Sequence, residues 1–178
     1  MLRIQSKYTG GMNSSRPPVD SVQLGAYFAL FEVVDLLRHA VEQQLRDAGD
    51  LSFVQFQLLA RLGDASDGSQ RMTDLADSVV YSRSGLTYQV GLLEKAGLVQ
   101  RGASPDDERV VTVSITDAGR AVLAAVFPGH VEVLEELLFT HMSQARAREL
   151  TEILAPVRDH MRAAPPRSAK PRRRGTAR

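Results

Sequence analysis

From Val22 onward, Leu24, Phe28, Phe31, Val34, Leu37, Val41 and Leu45 recur in steps of three and four. That spacing puts them on one face of a helix of about 25 residues, longer than most globular helices. Asp20 or Ser21 stands where a cap is expected and Gly49 where the helix should stop. Ser52 opens a second helix with Phe53, Phe56, Leu59 and Leu62 apolar and Gly63 at its end, and residues 64–70 read as a loop. Thr73 is expected to cap a short third helix with Leu75, Ala76 and Val79 inward. Tyr81-Ser82 then makes a turn, and a fourth helix runs over residues 83–96 to Gly97.

After Gly97 the period drops to two. Val111, Val113 and Ile115 alternate with Thr112 and Ser114, and with Val99 and Arg101 across a polar loop they predict a β-hairpin. Thr116 caps the next helix, with Asp117 in its first turn. Its apolar positions reach about His141, with a kink or break expected at Pro128-Gly129. A last helix covers residues 143–161 and is expected to bend at Pro156. The predicted fold class is all-α with a small β-hairpin wing.

Two short helices joined by a tight turn and followed by a hairpin form the layout of a winged helix-turn-helix. In the fourth helix Leu86, Val90 and Leu93 share the inward face, which leaves Ser84, Tyr88, Gly91 and Lys95 outside with Thr87 at the edge. Hydroxyl, phenol and ammonium groups on a helix that fits the major groove can reach base edges and phosphates. Ser82 and Ser84, near the helix start, suit phosphate. A merely solvated helix face would read the same way. In the hairpin loop, Asp107 can hold Arg109 in a fixed pose toward phosphate or a minor groove; a solvated turn is the alternative.

Composition narrows the chemistry. The 178 residues are 43% hydrophobic and 24% charged, which fits one globular domain with appendages. The absence of cysteine removes disulfides, thiolate catalysis and cysteine-based metal sites. His39, His130, His141 and His160 show no metal-binding or catalytic spacing, and histidines on long amphipathic helices are expected at interfaces or in solvent; neither an enzyme nor a cofactor is expected. No apolar run reaches membrane-spanning length and no signal-peptide core opens the chain, so no membrane partner and a cytoplasmic location are expected. Six of the 22 basic residues (Arg167, Lys170, Arg172, Arg173, Arg174 and Arg178) and none of the 21 acidic ones fall in residues 167–178, leaving 16 against 21, or −5, for the rest. The basic tail, residues 163–178, is expected to be disordered and to add contacts to DNA. Residues 1–19 read as a flexible arm, within which Met12 offers an alternative start.

The stretch SRSGLTYQVGLLEKAGLVQR, followed by PDDERVVTVSITDAG, resembles the multiple-antibiotic-resistance regulator (MarR) family of winged helix-turn-helix transcription factors. The match covers about residues 52–120, through a Ser-Arg-Ser helix start, Leu-Glu-Lys-x-Gly-Leu-Val, an Asp-x-Arg wing and Thr-x-x-Gly. The resemblance implies a MarR-like subunit over residues 20–162. Residues 52–116 would form the DNA-binding unit, and residues 20–48 and 117–162 the dimerisation helices. It further implies a homodimer on double-stranded DNA, most simply a repressor on a pseudo-palindromic operator. Each recognition helix, residues 82–96, would enter a major groove and each wing, residues 101–109, a minor groove. The implied DNA-binding set is Arg71, Ser82, Arg83, Ser84, Thr87, Tyr88, Lys95, Arg101, Asp107 and Arg109.

The family also admits a small-molecule effector where its first, second and fifth helices meet. On this chain that region would be lined by Tyr27, Phe28, Phe31, Phe53 and Phe56, residues that serve equally as plain core. Tyr88 stands where many members carry arginine, and Gly91-Leu92 replaces the usual Asp-Arg, so operator sequence does not carry over. A winged-helix protein–protein interaction module without operator binding is the alternative function.

Overall fold

The computed structural model describes residues 19–79, 83–103 and 109–163. The arm through residue 18, the Tyr81-Ser82 turn, the wing loop with Asp107, and the basic tail from residue 164 lie outside the described residues. In order the elements are α1 (Ser21–Gly49), α2 (Phe53–Asp64), β1 (Ser69–Arg71), α3 (Met72–Ser78), α4 (Arg83–Lys95), β2 (Val99–Ala103), β3 (Val111–Ile115), α5 (Asp117–Leu137), a 3-10 turn (Phe139–His141) and α6 (Gln144–Ala163). The expected class, helices with a small β-wing, is what the chain forms. Two compact units are distinguished, residues 1–40 and 41–178.

Within the first unit, α1 starts on a reciprocal cap. The Gln23 N–H donates to Asp20 Oδ1 at 2.8 Å, and the Asp20 N–H donates to Gln23 Oε1 at 3.2 Å. Tyr27, Phe28, Leu30, Phe31, Val33, Val34 and Leu36 are all exposed. These positions run around the helix rather than along one stripe.

The second unit holds the core. Val41 and Leu45 from the end of α1 are buried with Phe56, Leu58, Leu59, Leu62, Leu75, Leu86, Val90, Leu93, Val113 and Val126. Gly49 does not end α1 through its own backbone; Asp50 takes the left-handed conformation (φ 50°), and the Asp50 and Leu51 amides bond back to Arg46 and Leu45. Gly49 is small for a different reason: a Cβ there would stand 2.6 Å from Val126 Cγ1. Helix α2 begins with a complete Ser52–Gln55 capping box. The cap position of helix α3 lies two residues earlier than expected, at Arg71 rather than Thr73, with no side-chain cap bond; the Thr73 hydroxyl sits inside the helix and donates to Asp74.

The hairpin gains a third strand. Residues 69–71 form β1, which takes Ser69 and Gln70 from the expected loop, and the sheet order is β1-β3-β2, antiparallel throughout. Val99 pairs with Ile115, and Arg101 with Val113. The joint below the sheet is tightly bonded. Gly97, at φ +72°, ends α4 and its carbonyl accepts from the Thr116 hydroxyl at 2.7 Å, while Thr116 Oγ1 caps α5 by accepting from the Gly119 N–H. Of the kink or break expected at Pro128-Gly129, a break does not occur: helix α5 continues through it. Gln44 reaches α5 there, donating to the Val126 carbonyl at 3.1 Å. Helix α6 likewise continues through Pro156.

Candidate nucleic-acid interface

Helix α4 is seated by Leu86, Val90 and Leu93, each no more than 2% exposed. Burial of that triplet fixes what remains outside: Ser84, Thr87, Tyr88 and Lys95 are exposed, and Gly91 is half-buried. Tyr88, 64% exposed, presents the largest apolar surface on that face. Arg83 opens the helix, so its backbone lies at the α4 N-terminus. The outer face therefore carries hydroxyls and a phenol in its middle, with an ammonium at its C-terminal end. Arg71, at the end of β1, and Arg109, just before β3, are exposed. Ser82 and Asp107 of the expected set fall outside the described residues.

Arg101 is half-buried, unlike the exposed Arg71, Ser84, Thr87, Tyr88, Lys95 and Arg109. Its guanidinium is turned back onto α4, with Nε 3.3 Å from Glu94 Oε2 and Nη2 donating to the Thr87 carbonyl at 3.1 Å. Glu94 drew no attention in the sequence, because its partner lies across a turn and on a different element.

An open depression of about 590 Å³ lies on the face of the small sheet, lined by Asp67, Arg71, Asp74, Gln100, Arg101 and Thr112 among others. Two carboxylates against two guanidiniums give it no strong preference for anions. None of the aromatic residues expected to line an effector site borders it.

Those aromatics fall into two sets. Tyr27 packs edge-on to Phe28 at 5.2 Å and lies 5.9 Å from Phe31. Phe56 is buried and stacks on His130 of α5 at 4.6 Å, and Phe53 is half-buried beside it in sequence. His130 is thus drawn into an aromatic contact rather than left in solvent, and its Nδ1 is enclosed with no hydrogen-bond partner among the described residues. Its register, one helical turn after the buried Val126, was the available signal.

Desolvation lowers the His130 pKa below the ordinary 6.5. As pH falls, the unfolded chain therefore takes up this proton before the folded one does. Stability should be insensitive to this group well above pH 6.5 and should decline as pH drops below it. Thermal unfolding at pH 7.5 and 5.5 should show a smaller acid loss for His130→Leu than for the wild type; equal losses would assign the pH dependence to other groups.

Among the described residues no cluster of three or more His, Asp or Glu side chains could hold a metal ion, and no helix is long and apolar enough to cross a membrane.

Residues 49–110 match the model of the MarR family. The chain is 25% identical over 128 residues to the HTH-type transcriptional repressor YetL of Bacillus subtilis, covering 72% of this chain and 76% of that one. It is 31% identical over 110 residues to the uncharacterized HTH-type transcriptional regulator YxaD of the same organism, covering 61% of this chain and 76% of the relative. Among solved structures, Sco3205, a MarR family transcriptional regulator from Streptomyces coelicolor in complex with DNA, superposes with a TM-score of 0.79 at 28% identity, over 85% of this chain and 95% of that one. These relatives are transcriptional regulators rather than enzymes. With a seated recognition helix, a wing beside it and these likenesses, the chain belongs to the MarR family of DNA-binding, winged-helix transcriptional regulators.

Proposed function

We propose that the chain acts as a homodimeric repressor on a pseudo-palindromic operator, with α4 of each protomer in one of two major grooves and each wing in the neighbouring minor groove. The observation that carries the DNA-reading part is the exposed face of α4: Ser84, Thr87, Tyr88 and Lys95 project from a helix fixed by three buried apolar residues. Arg71 and Arg109, both exposed, supply positive charge to the same unit, and Arg83 joins them by the family pattern. Ser82 and Asp107 join them by the family pattern, as helix-start phosphate ligand and as the orienter of Arg109. Repression is supported by the likeness to YetL, itself a repressor. In a footprint of the DNA upstream of the protein's own gene, a protected pseudo-palindrome with half-sites about one helical turn apart is expected. Uniform cleavage across that region would contradict operator binding there.

Dimerisation is supported by apolar surface left exposed among the described residues. Residues 20–48 and 117–162 would supply it, leaving residues 52–116 to DNA. A helix apolar around its circumference, as α1 is from Tyr27 to Leu36, needs burial on several sides. In α6, Leu150, Ile153, Val157 and Met161 are exposed at spacings of three and four. Ile153→Glu should convert a dimer to a monomer in sedimentation analysis, since a charge at an apolar interface costs about 2 kcal/mol or more per anchor. A wild-type monomer, or a variant that stays dimeric, would remove α6 from the interface.

Effector release is the part most easily separated from the rest. Phe56 and His130 form a tilted aromatic pair in which the His130 Nδ1 has no partner among the described residues, a place where a small acidic or phenolic ring could stack and donate a hydrogen bond. Such a ligand releases DNA only insofar as it prefers the conformation that does not bind.

A further inference from the structure

Thr87, Gly91 and Glu94 fall on one stripe of α4, separated by four and three residues. The Arg101 side chain lies along that stripe. Its Nη2 donates to the Thr87 carbonyl at 3.1 Å, its Nε stands 3.3 Å from Glu94 Oε2, and an ideal Cβ at Gly91 would come within 3.3 Å of Nη2. The Nε–H is enclosed and makes no directed hydrogen bond among the described residues, so the contact with Glu94 is an attraction of charges. Arg101 sits in the middle of β2, opposite Val113 of β3.

We propose that Arg101 is a positioning residue that clamps the wing to the recognition helix through Glu94 and the Thr87 carbonyl, with Gly91 as the opening that admits it, and that it does not itself bind phosphate. This rests on the reading of α4 as the recognition helix. The clamp fixes the angle between the two DNA-facing elements before DNA arrives, so less ordering is left for the binding step. A Cβ at position 91 would stand in tight contact with the guanidinium, which would have to give by a few tenths of an ångström. Both charged partners are partly exposed, at 29% and 42%, so the ion pair itself is weak and its value lies in direction.

The sign of the effect at Glu94 separates this from ordinary DNA contact. If Glu94 were only an acid near phosphates, Glu94→Gln would tighten operator binding by removing repulsion. As half of a clamp, Glu94→Gln should weaken it by about 2- to 5-fold, as should Arg101→Ala. Without DNA, each variant should lower the melting temperature by about 1–2 °C, and the double variant by no more than the larger single. Tighter binding by Glu94→Gln together with weaker binding by Arg101→Ala would overturn the proposal and return Arg101 to the phosphate contacts. Additive melting losses would overturn it as well. The melting comparison uses no DNA, so it decides the clamp even if operator binding itself fails.

Discussion

Gly119→Ala should lower the melting temperature by about 5–10 °C, corresponding to about 2–3 kcal/mol of overpacking in a chain of this size. Helix propensity alone predicts the opposite sign, because alanine stabilises a helix interior by about 1 kcal/mol relative to glycine. Space decides the outcome. A Cβ at Gly119 would overlap the Leu98 carbonyl oxygen and stand 2.8 Å from Ile115 Cγ1. That carbonyl accepts the Thr116 N–H at 3.1 Å, and Thr116 also caps α5 and bonds Gly97. A side chain at 119 therefore pries open the point where α4, the sheet and α5 meet. Gly25→Ala provides the control, since a Cβ there meets nothing within 4 Å and should raise stability slightly. Equal melting shifts for the two variants would show that the joint is looser than its geometry.

Arg109→Ala and Tyr88→Ala should both weaken operator binding by about 10- to 100-fold, but in different ways. Arg109 is exposed on the wing, beside the start of β3, and loss of a phosphate or minor-groove contact acts on every DNA sequence. Its removal should weaken operator and scrambled DNA alike and reduce the salt slope by about 0.9 per phosphate released. Tyr88 projects from the middle of α4, where a phenol ring can lie against a thymine methyl and its hydroxyl can reach a base edge. Its loss should fall on the operator and spare scrambled DNA. Arg158→Ala, an exposed arginine of α6 paired with its neighbour Asp159, should change neither. Anisotropy titrations of the four proteins on both DNAs check this pattern. A Tyr88→Ala protein that loses affinity equally on both DNAs would place the base readout elsewhere.

The parts of the fold that were readable in the sequence rest on local chemistry. The helix start at Ser52, the Thr116 cap and the alternation from Val111 to Ile115 each need only a few neighbouring residues, and each appears in place. What escaped depends on partners far along the chain. Strand β1 has three residues and no apolar alternation; it exists because Ser69 and Arg71 lie against Ser114 and Thr112 of β3. Gly49 looked like a helix stop, but Asp50 supplies the left-handed turn and Gly49 answers to Val126, 77 positions later by their numbers. Pro128 suggests a kink or a break, and the helix continues there, next to Gln44 bonding the α5 backbone. At the interface the same division holds. The inward triplet Leu86, Val90 and Leu93 followed from period alone, and so did the outer face of α4. The Arg101–Glu94 contact did not, because it joins a helix to a strand across Gly97. The Phe56–His130 stack joins α2 to α5 in the same non-local way.

Sequence-specific DNA binding is the claim on which the rest depends. Its most direct test is a fluorescence-anisotropy titration of the full chain against DNA from upstream of its own gene, at two salt concentrations and with scrambled DNA alongside. Saturable binding at least ~10³ tighter to the upstream DNA than to the scrambled control is the expected result. Equal, weak and salt-sensitive binding to both would contradict it and would place the interaction in the basic residues of 167–178 rather than in α4.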